Sequence, residues 1–124
     1  MKKVLVIDDD EMALMMTRRI LEDAGYEVKS TADGPAGIRL YEEHHPDAVL
    51  LDLGLPSMSG LDVLKAIRDF DEKARIIVFT GYTSGEFEKQ ASKYGALFYV
   101  EKTAGPEVLL SRVQQTLEDP TSTY

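Results

Sequence analysis

Apolar residues follow two rhythms along this chain. Short unbroken runs end abruptly in a polar group: VLVIDDD (Val4–Asp10), AVLLD (Ala48–Asp52), IIVFT (Ile76–Thr80) and FYVEK (Phe98–Lys102). Runs without polar alternation predict strands buried on both faces, the habit of a parallel sheet. Tyr26–Ser30 is shorter and half polar, so it predicts a strand at a sheet edge. Between the runs the spacing becomes helical. Glu11–Ala24 carries Met12, Met16, Ile20, Leu21 and Ala24 as its predicted buried stripe, and Gly25 stops it. Pro35 suits the first turn of a helix reaching about His44, with His44 and His45 as loop-end residues before Pro46. Ser59 and Asp62 form a capping pattern ahead of Leu61, Leu64 and Ile67. Glu86–Tyr94 predicts a shorter, more polar helix ended by Gly95. Pro106 opens the last helix, with Val108, Leu109, Val113 and Leu117 as its apolar stripe.

Five strands alternating with five helices imply right-handed crossovers and an α/β fold. The predicted architecture is a doubly wound five-stranded parallel sheet with helices on both faces, in the common order 2-1-3-4-5. Residues 1–118 read as one domain and 119–124 as a frayed tail, polar and broken by Pro120. At 124 residues, 44% hydrophobic and 29% charged, the composition is that of an ordinary globular domain. No apolar run approaches the roughly 18 residues of a membrane helix, so no membrane partner is expected. The absence of cysteine suits a reducing, cytoplasmic setting. A net charge of −8 argues against direct contact with nucleic acid, which needs clustered Lys and Arg.

In such a sheet every strand delivers its last residue to the same edge, where ligands bind. Asp8, Asp9 and Asp52 would then meet, with Thr80 and Lys102 on the next strands. Each pair of these carboxylates would repel by about 4 kcal/mol at an effective dielectric near 20. Lys102 offsets part of this; a hard divalent cation with oxygen ligands, Mg²⁺ or Mn²⁺, suits the remainder. A carboxylate attacking phosphorus forms an acyl phosphate, so the set suits phosphoryl transfer. Asp10 and Glu11 fit the first turn of the first helix instead.

With the motifs VLVIDDD, LLDLGLPSMSGLDVL, IIVFTGY and GALFYVEK in this order, the chain resembles a response-regulator receiver domain of two-component signalling over residues 3–118. Receiver domains are themselves the standing example of the strand order given above. The resemblance implies a phosphoacceptor at Asp52, fed by a sensor histidine kinase or a phosphotransfer protein. It implies metal ligands at Asp9, Asp8, Asp52 and the Gly54 backbone carbonyl, with Thr80 and Lys102 on the phosphoryl group. It implies a switch in which Thr80 moves and Tyr99 rotates inward, biasing a two-state element. Output would reach a downstream protein or effector domain through the fourth helix, fifth strand and fifth helix. Such a module is no enzyme in the ordinary sense, since it only catalyses its own phosphorylation and dephosphorylation.

One departure from the family pattern is Thr103, where proline usually follows the lysine, often through a cis bond. A non-proline cis bond costs about 3–4 kcal/mol, so Lys102–Thr103 is predicted to be trans. Two other functions compete. A haloacid-dehalogenase-type phosphatase would use Asp8 as nucleophile in Asp8-x-Asp10, but it leaves Asp52 without a role. A receiver-shaped scaffold would bind partners without being phosphorylated.

Overall fold

The computed structural model describes residues 1–55, 58–81 and 85–118. Its elements are β1 (Lys3–Ile7), α1 (Glu11–Asp23), β2 (Glu27–Thr31), α2 (Gly34–His44), β3 (Ala48–Leu51), α3 (Gly60–Phe70), β4 (Ile76–Thr80), α4 (Gly85–Lys93), β5 (Phe98–Glu101) and α5 (Pro106–Glu118). All pairings are parallel and the strand order is β2-β1-β3-β4-β5, the predicted doubly wound sheet. The predicted edge strand and fourth helix are each displaced by a single residue, within the scatter of element ends. The expected tail at 119–124 lies outside the described residues.

Strand alternation divides the core in two. Leu5, Ile7, Val49, Leu51, Ile76 and Val78 face α2, α3 and α4, packing with Tyr41, Leu64, Ile67 and Ala91. Val4, Val6, Leu50, Ile77 and Phe79 face α1 and α5, packing with Leu21, Leu109 and Val113. Both faces are covered, so β1, β3 and β4 are buried almost throughout. Full burial of each such aliphatic side chain is worth roughly 1.5–3 kcal/mol. Among the described residues no helix is long and apolar enough to cross a membrane.

Two predicted stripes need correction. Met12 and Met16 are not core residues: with Met15 they are 71%, 60% and 70% exposed, and Ala24 is exposed too. Two i,i+4 ladders compete on α1, and the sheet takes the one through Thr17 and Leu21. Methionines are unbranched and can follow either ladder, whereas Thr17 is buried. On α5, Val108 is exposed while Leu109, Val113, Thr116 and Leu117 are buried. Val108 falls in the first turn of α5, on the face away from its buried residues.

The end of the molecule away from the strand tips is closed by an aromatic group. His45 caps α2 in the left-handed conformation (φ 44°) and stacks on Phe70 at 5.8 Å, while Tyr41 meets both rings edge-on at 6.3 Å. The buried Tyr41 hydroxyl donates to Asp71 Oδ2 at 2.7 Å, joining α2 to the turn after α3. Burial, reinforced by Asp71, pushes the Tyr41 phenol above its usual range. The same bond holds the Asp71 carboxyl below its ordinary range. Tyr41→Phe is expected to lower stability by about 1–2 kcal/mol at neutral pH. Because Asp71 titrates low in the folded state, its contribution is present above the ordinary carboxyl range and is lost as pH falls through the lowered value. Urea melts of the two proteins should therefore converge in acid; a gap that stays constant with pH would contradict the assignment.

Candidate functional site

Parallel register brings the strand tips level. Ile7 pairs with Leu51, Leu51 with Val78, and Thr80 with Glu101. The next residues out from β1, β3 and β5 are Asp8, Asp52 and Lys102, with Thr80 ending β4 itself. Asp8, Asp52 and Thr80 are 1%, 6% and 0% exposed, because the central strands carry them below the surface. Asp9 points outward and is exposed.

The predicted residues converge. Asp52 Oδ1 accepts from the Thr80 hydroxyl at 2.8 Å and from the Gly54 N–H at 3.2 Å; Oδ2 accepts from Lys102 Nζ at 2.9 Å. Asp8 Oδ1 accepts the Asp10 N–H at 3.0 Å. Asp8 Oδ2 lies 2.8 Å from Lys102 Nζ, yet that contact is ionic and lacks hydrogen-bond direction. One carboxylate oxygen from each of Asp8, Asp9 and Asp52 falls within 4.8 Å of the others. Asp10 serves α1, its side chain accepting from the Met12 and Ala13 N–H groups.

These two buried carboxylates behave differently. Burial raises Asp8 to about 6, against the pull of Lys102 and the Asp10 N–H. Burial opposes ionisation of Asp52 as well, but Lys102, Thr80 and Gly54 outweigh it and hold Asp52 below the ordinary range. Asp52 is therefore a carboxylate favoured in its ionised form, with both oxygens held in a fixed orientation. Burial works against the Lys102 ammonium, yet its two carboxylate partners raise it overall. Three carboxylates still face one ammonium. Asp8 Oδ2, buried without a directed donor, is the group that a hard cation would satisfy. The donor set is all oxygen, which fits Mg²⁺ or Mn²⁺.

Tyr99 lies on β5 opposite Val78, so it shares a sheet face with Thr80. It is half-buried against the core, and burial, then Glu88, Glu101 and Asp52, raise its phenol above the usual range. Lys102–Thr103 is trans, as are all described peptide bonds, and a single 3-10 turn spans Lys102–Ala104. Gly81 is exposed, with open space where a Cβ would point.

Two contributions escape a reading of the sequence. Gly54 is expected there only through its carbonyl, whereas its N–H also holds Asp52. Gly60 seats the loop after β3: its N–H donates to Leu53 O at 3.1 Å, and a Cβ there would lie 2.5 Å from Asp52 O and 2.4 Å from Leu53 Cα. Only the folded distance reveals this; in sequence Gly60 is one more helix-start glycine. Lys102→Met should lower stability by about 1–3 kcal/mol, less than for a fully dry pair because Lys102 is partly exposed. Urea melts in EDTA measure it, and an unchanged midpoint would show that the carboxylates do not depend on this ammonium.

Comparison with known proteins agrees with this geometry. A family model for the response regulator receiver domain matches residues 4–114. The transcriptional regulatory protein KdpE of Mycobacterium tuberculosis is 39% identical over 122 residues, covering 98% of this chain and 54% of KdpE. This chain therefore spans about half the length of that relative. The polar-differentiation response regulator DivK of Brucella ovis is 31% identical, covering 95% of this chain and 98% of DivK. A CheY-like receiver domain protein from Methanospirillum hungatei superimposes with a TM-score of 0.94 at 31% identity, covering 100% of this chain and 99% of that one. Chemotaxis protein CheY4 of Vibrio cholerae gives 0.89 at 33% identity, covering 94% and 99%. Response regulators of this kind are signalling modules that interact with histidine kinases or phosphotransfer proteins and with effectors, and receiver domains bind Mg²⁺ in an acidic pocket. By fold, by sequence and by family match, the chain belongs to the response regulator receiver domains of two-component systems.

Proposed function

We propose that residues 1–118 form a receiver domain in which Asp52 accepts a phosphoryl group from a phosphohistidine donor, a sensor histidine kinase or a phosphotransfer protein. The observation that carries this is the ionised Asp52 carboxylate, buried yet held by Lys102, Thr80 and the Gly54 N–H. A carboxylate oxygen of Asp52 attacks phosphorus, the P–N bond breaks, and the imidazole leaves with the electron pair. Lys102 and Thr80, already on the two carboxylate oxygens, pass to the phosphoryl oxygens as charge accumulates there. Asp8, Asp9, Asp52 and the Gly54 carbonyl would hold Mg²⁺ (or Mn²⁺), which when bound supplies positive charge against the phosphoryl oxygens. Water later hydrolyses the acyl phosphate and restores Asp52.

The added phosphoryl group brings about −1.5 to −2 of charge to a site already short of cations. Thr80 following that charge, with Tyr99 turning on the same sheet face, is the switch we assign. Output runs through α4, β5 and α5 to a downstream protein or effector domain. The net charge of −8 supports a domain that does not itself touch nucleic acid. The lack of cysteine supports a cytoplasmic setting. A phosphatase built on Asp8 leaves without a role the carboxylate that Lys102, Thr80 and the Gly54 N–H all hold, Asp52.

Incubation with Mg²⁺ and a small phosphodonor should add one phosphoryl group by intact mass, and Asp52→Asn should abolish the gain. Loss in Asp8→Asn with retention in Asp52→Asn would favour the phosphatase. No gain, under conditions that modify a control receiver, would favour the scaffold. Saturating Mg²⁺ should raise the melting temperature by mass action, worth about 2.7 kcal/mol at a hundredfold excess over Kd. Asp9→Asn should melt no lower than the parent in EDTA, having lost a repulsion, and should lose most of the Mg²⁺ response. Equal Mg²⁺ shifts in the two proteins would remove Asp9 from the ligand set.

A further inference from the structure

Positive charge gathers at Tyr94. Lys65 of α3 places its Nζ 4.6 Å from the ring centroid, and Lys93 of α4 places its own 5.7 Å from it. Arg68 reaches the backbone of the same residue. Its Nε donates to Tyr94 O at 3.2 Å, Nη2 to Gly95 O at 3.0 Å and Nη1 to Glu72 O at 2.7 Å. We propose that this basic cluster, on the seam of α3 and α4, is a docking surface for an acidic segment of a partner protein. The proposal goes beyond the receiver reading and uses none of its steps.

The cluster forms against the run of charge in the chain, whose net charge is −8. Carboxylates stand within helical reach of Lys65: Asp62 lies three residues before it and Asp69 four after it in α3. Among the described residues, neither Lys65 nor Lys93 pairs with any carboxylate. Both ammonium groups lie on the ring instead, and both residues are exposed. An exposed contact of this kind is worth about 0.5–1 kcal/mol, no more than the surface ion pair forgone. Sharing one ring also keeps the two ammonium groups within about 10 Å, one Debye length at 0.1 M salt, so they repel. The three bonds of Arg68 go to carbonyls, which leave its charge uncancelled. Incoming carboxylates would meet all three cations in one place and remove the repulsion.

The seat is preformed. Tyr94 is half-buried and packs on the core, and Arg68 fixes its backbone. Gly95 admits the guanidinium: its φ is +87°, and a Cβ there would lie 3.0 Å from Arg68 Nε and Nη2. A partner therefore binds without ordering the backbone beneath it, and Tyr with Arg is the pairing that interface centres favour. The neighbours decide which anion fits. Asp62, Asp69, Glu72 and Glu86, on these two helices and the turn after α3, would repel a phosphate backbone running past. A lone inorganic anion finds no enclosed donors, because both lysines are exposed. A protein segment can set discrete carboxylates on the cations and leave the acidic flanks in water. Lys65 belongs to α3, which is no part of the output face proposed above, so the two surfaces can be separated by substitution.

The test titrates the full chain, labelled with ¹⁵N, with a short glutamate-rich peptide, and with its glutamine counterpart as control. Amide shifts should move at Lys65, Lys93 and Tyr94–Ala96 with the glutamate peptide alone, and Kd should rise with added salt. Lys65→Glu combined with Lys93→Glu should weaken binding at least about tenfold. Lys29→Glu, at an exposed lysine on β2, should leave Kd unchanged. Urea melts of the variants should match the parent, so weaker binding cannot be assigned to unfolding. Asp52→Asn should bind the peptide as the parent does, which keeps this result apart from the fate of the receiver reading. Shifts spread equally over Lys2, Lys29 and Arg39, an unchanged Kd in the double variant, or tighter binding of inorganic phosphate or duplex DNA at the same residues would each overturn the proposal.

Discussion

A single ammonium, Lys102, answers two buried carboxylates, Asp8 and Asp52, at the edge of this sheet. Parallel pairing forces the arrangement: β1 and β3 are neighbours in the interior, so whatever follows each strand is delivered, buried, beside the other. Burial alone would drive both carboxylates toward neutrality. Donors break the symmetry. Asp52 receives a hydroxyl, a backbone N–H and an ammonium, whereas Asp8 has one N–H and an ionic contact. The same depth therefore yields one carboxylate that stays ionised and one whose pKa rises to about 6. Lys102 reaches them from the edge strand β5 on a half-buried stem, so the site depends on β4 and β5 keeping their register.

How far this could be read from residues depends on what each residue's role requires. The strands were legible because burial on both faces leaves a run with no polar interruption, as in Val4–Ile7 and Ile76–Phe79. The converging site residues were legible for the same reason: topology, not side-chain packing, brings Asp8, Asp9, Asp52, Thr80 and Lys102 together. Helix faces were less so. Met12 and Met16 satisfy helical spacing as well as Leu21 does, and only the approach of the sheet selects between the ladders. The least legible were residues acting across large separations in sequence. Arg68 in a last turn reads as a dipole partner; that it forks onto Tyr94 and Gly95 depends on how α3 and α4 cross. His45 likewise reads as a loop residue until its stack on Phe70 is seen.

Two ends of one molecule thus do different work. At the strand tips charge is crowded, buried and incompletely answered. At the opposite end, Tyr41, Asp71 and Arg68 join α2, α3 and α4 through satisfied hydrogen bonds. The Tyr41 bond first, and the Arg68 charge last and least, lower the Asp71 carboxyl, so the two sets of bonds share one local field. α4, with Ala91 alone fully buried, has the fewest buried residues of the helices.

The crowding at the tips is itself informative. Replacing a buried ionic cluster with apolar residues of similar volume is often neutral or stabilising, by as much as about 1–4 kcal/mol. Asp8 keeps a buried oxygen without a directed donor, beside two more carboxylates and a single cation. Nothing in the packing of β1 or β3 needs that charge, since Val4–Ile7 and Ala48–Leu51 are buried within two hydrophobic clusters. A structure that concentrates its unfavourable electrostatics in one pocket, around one oriented carboxylate, supports the proposal that this pocket receives positive charge and then a phosphoryl group.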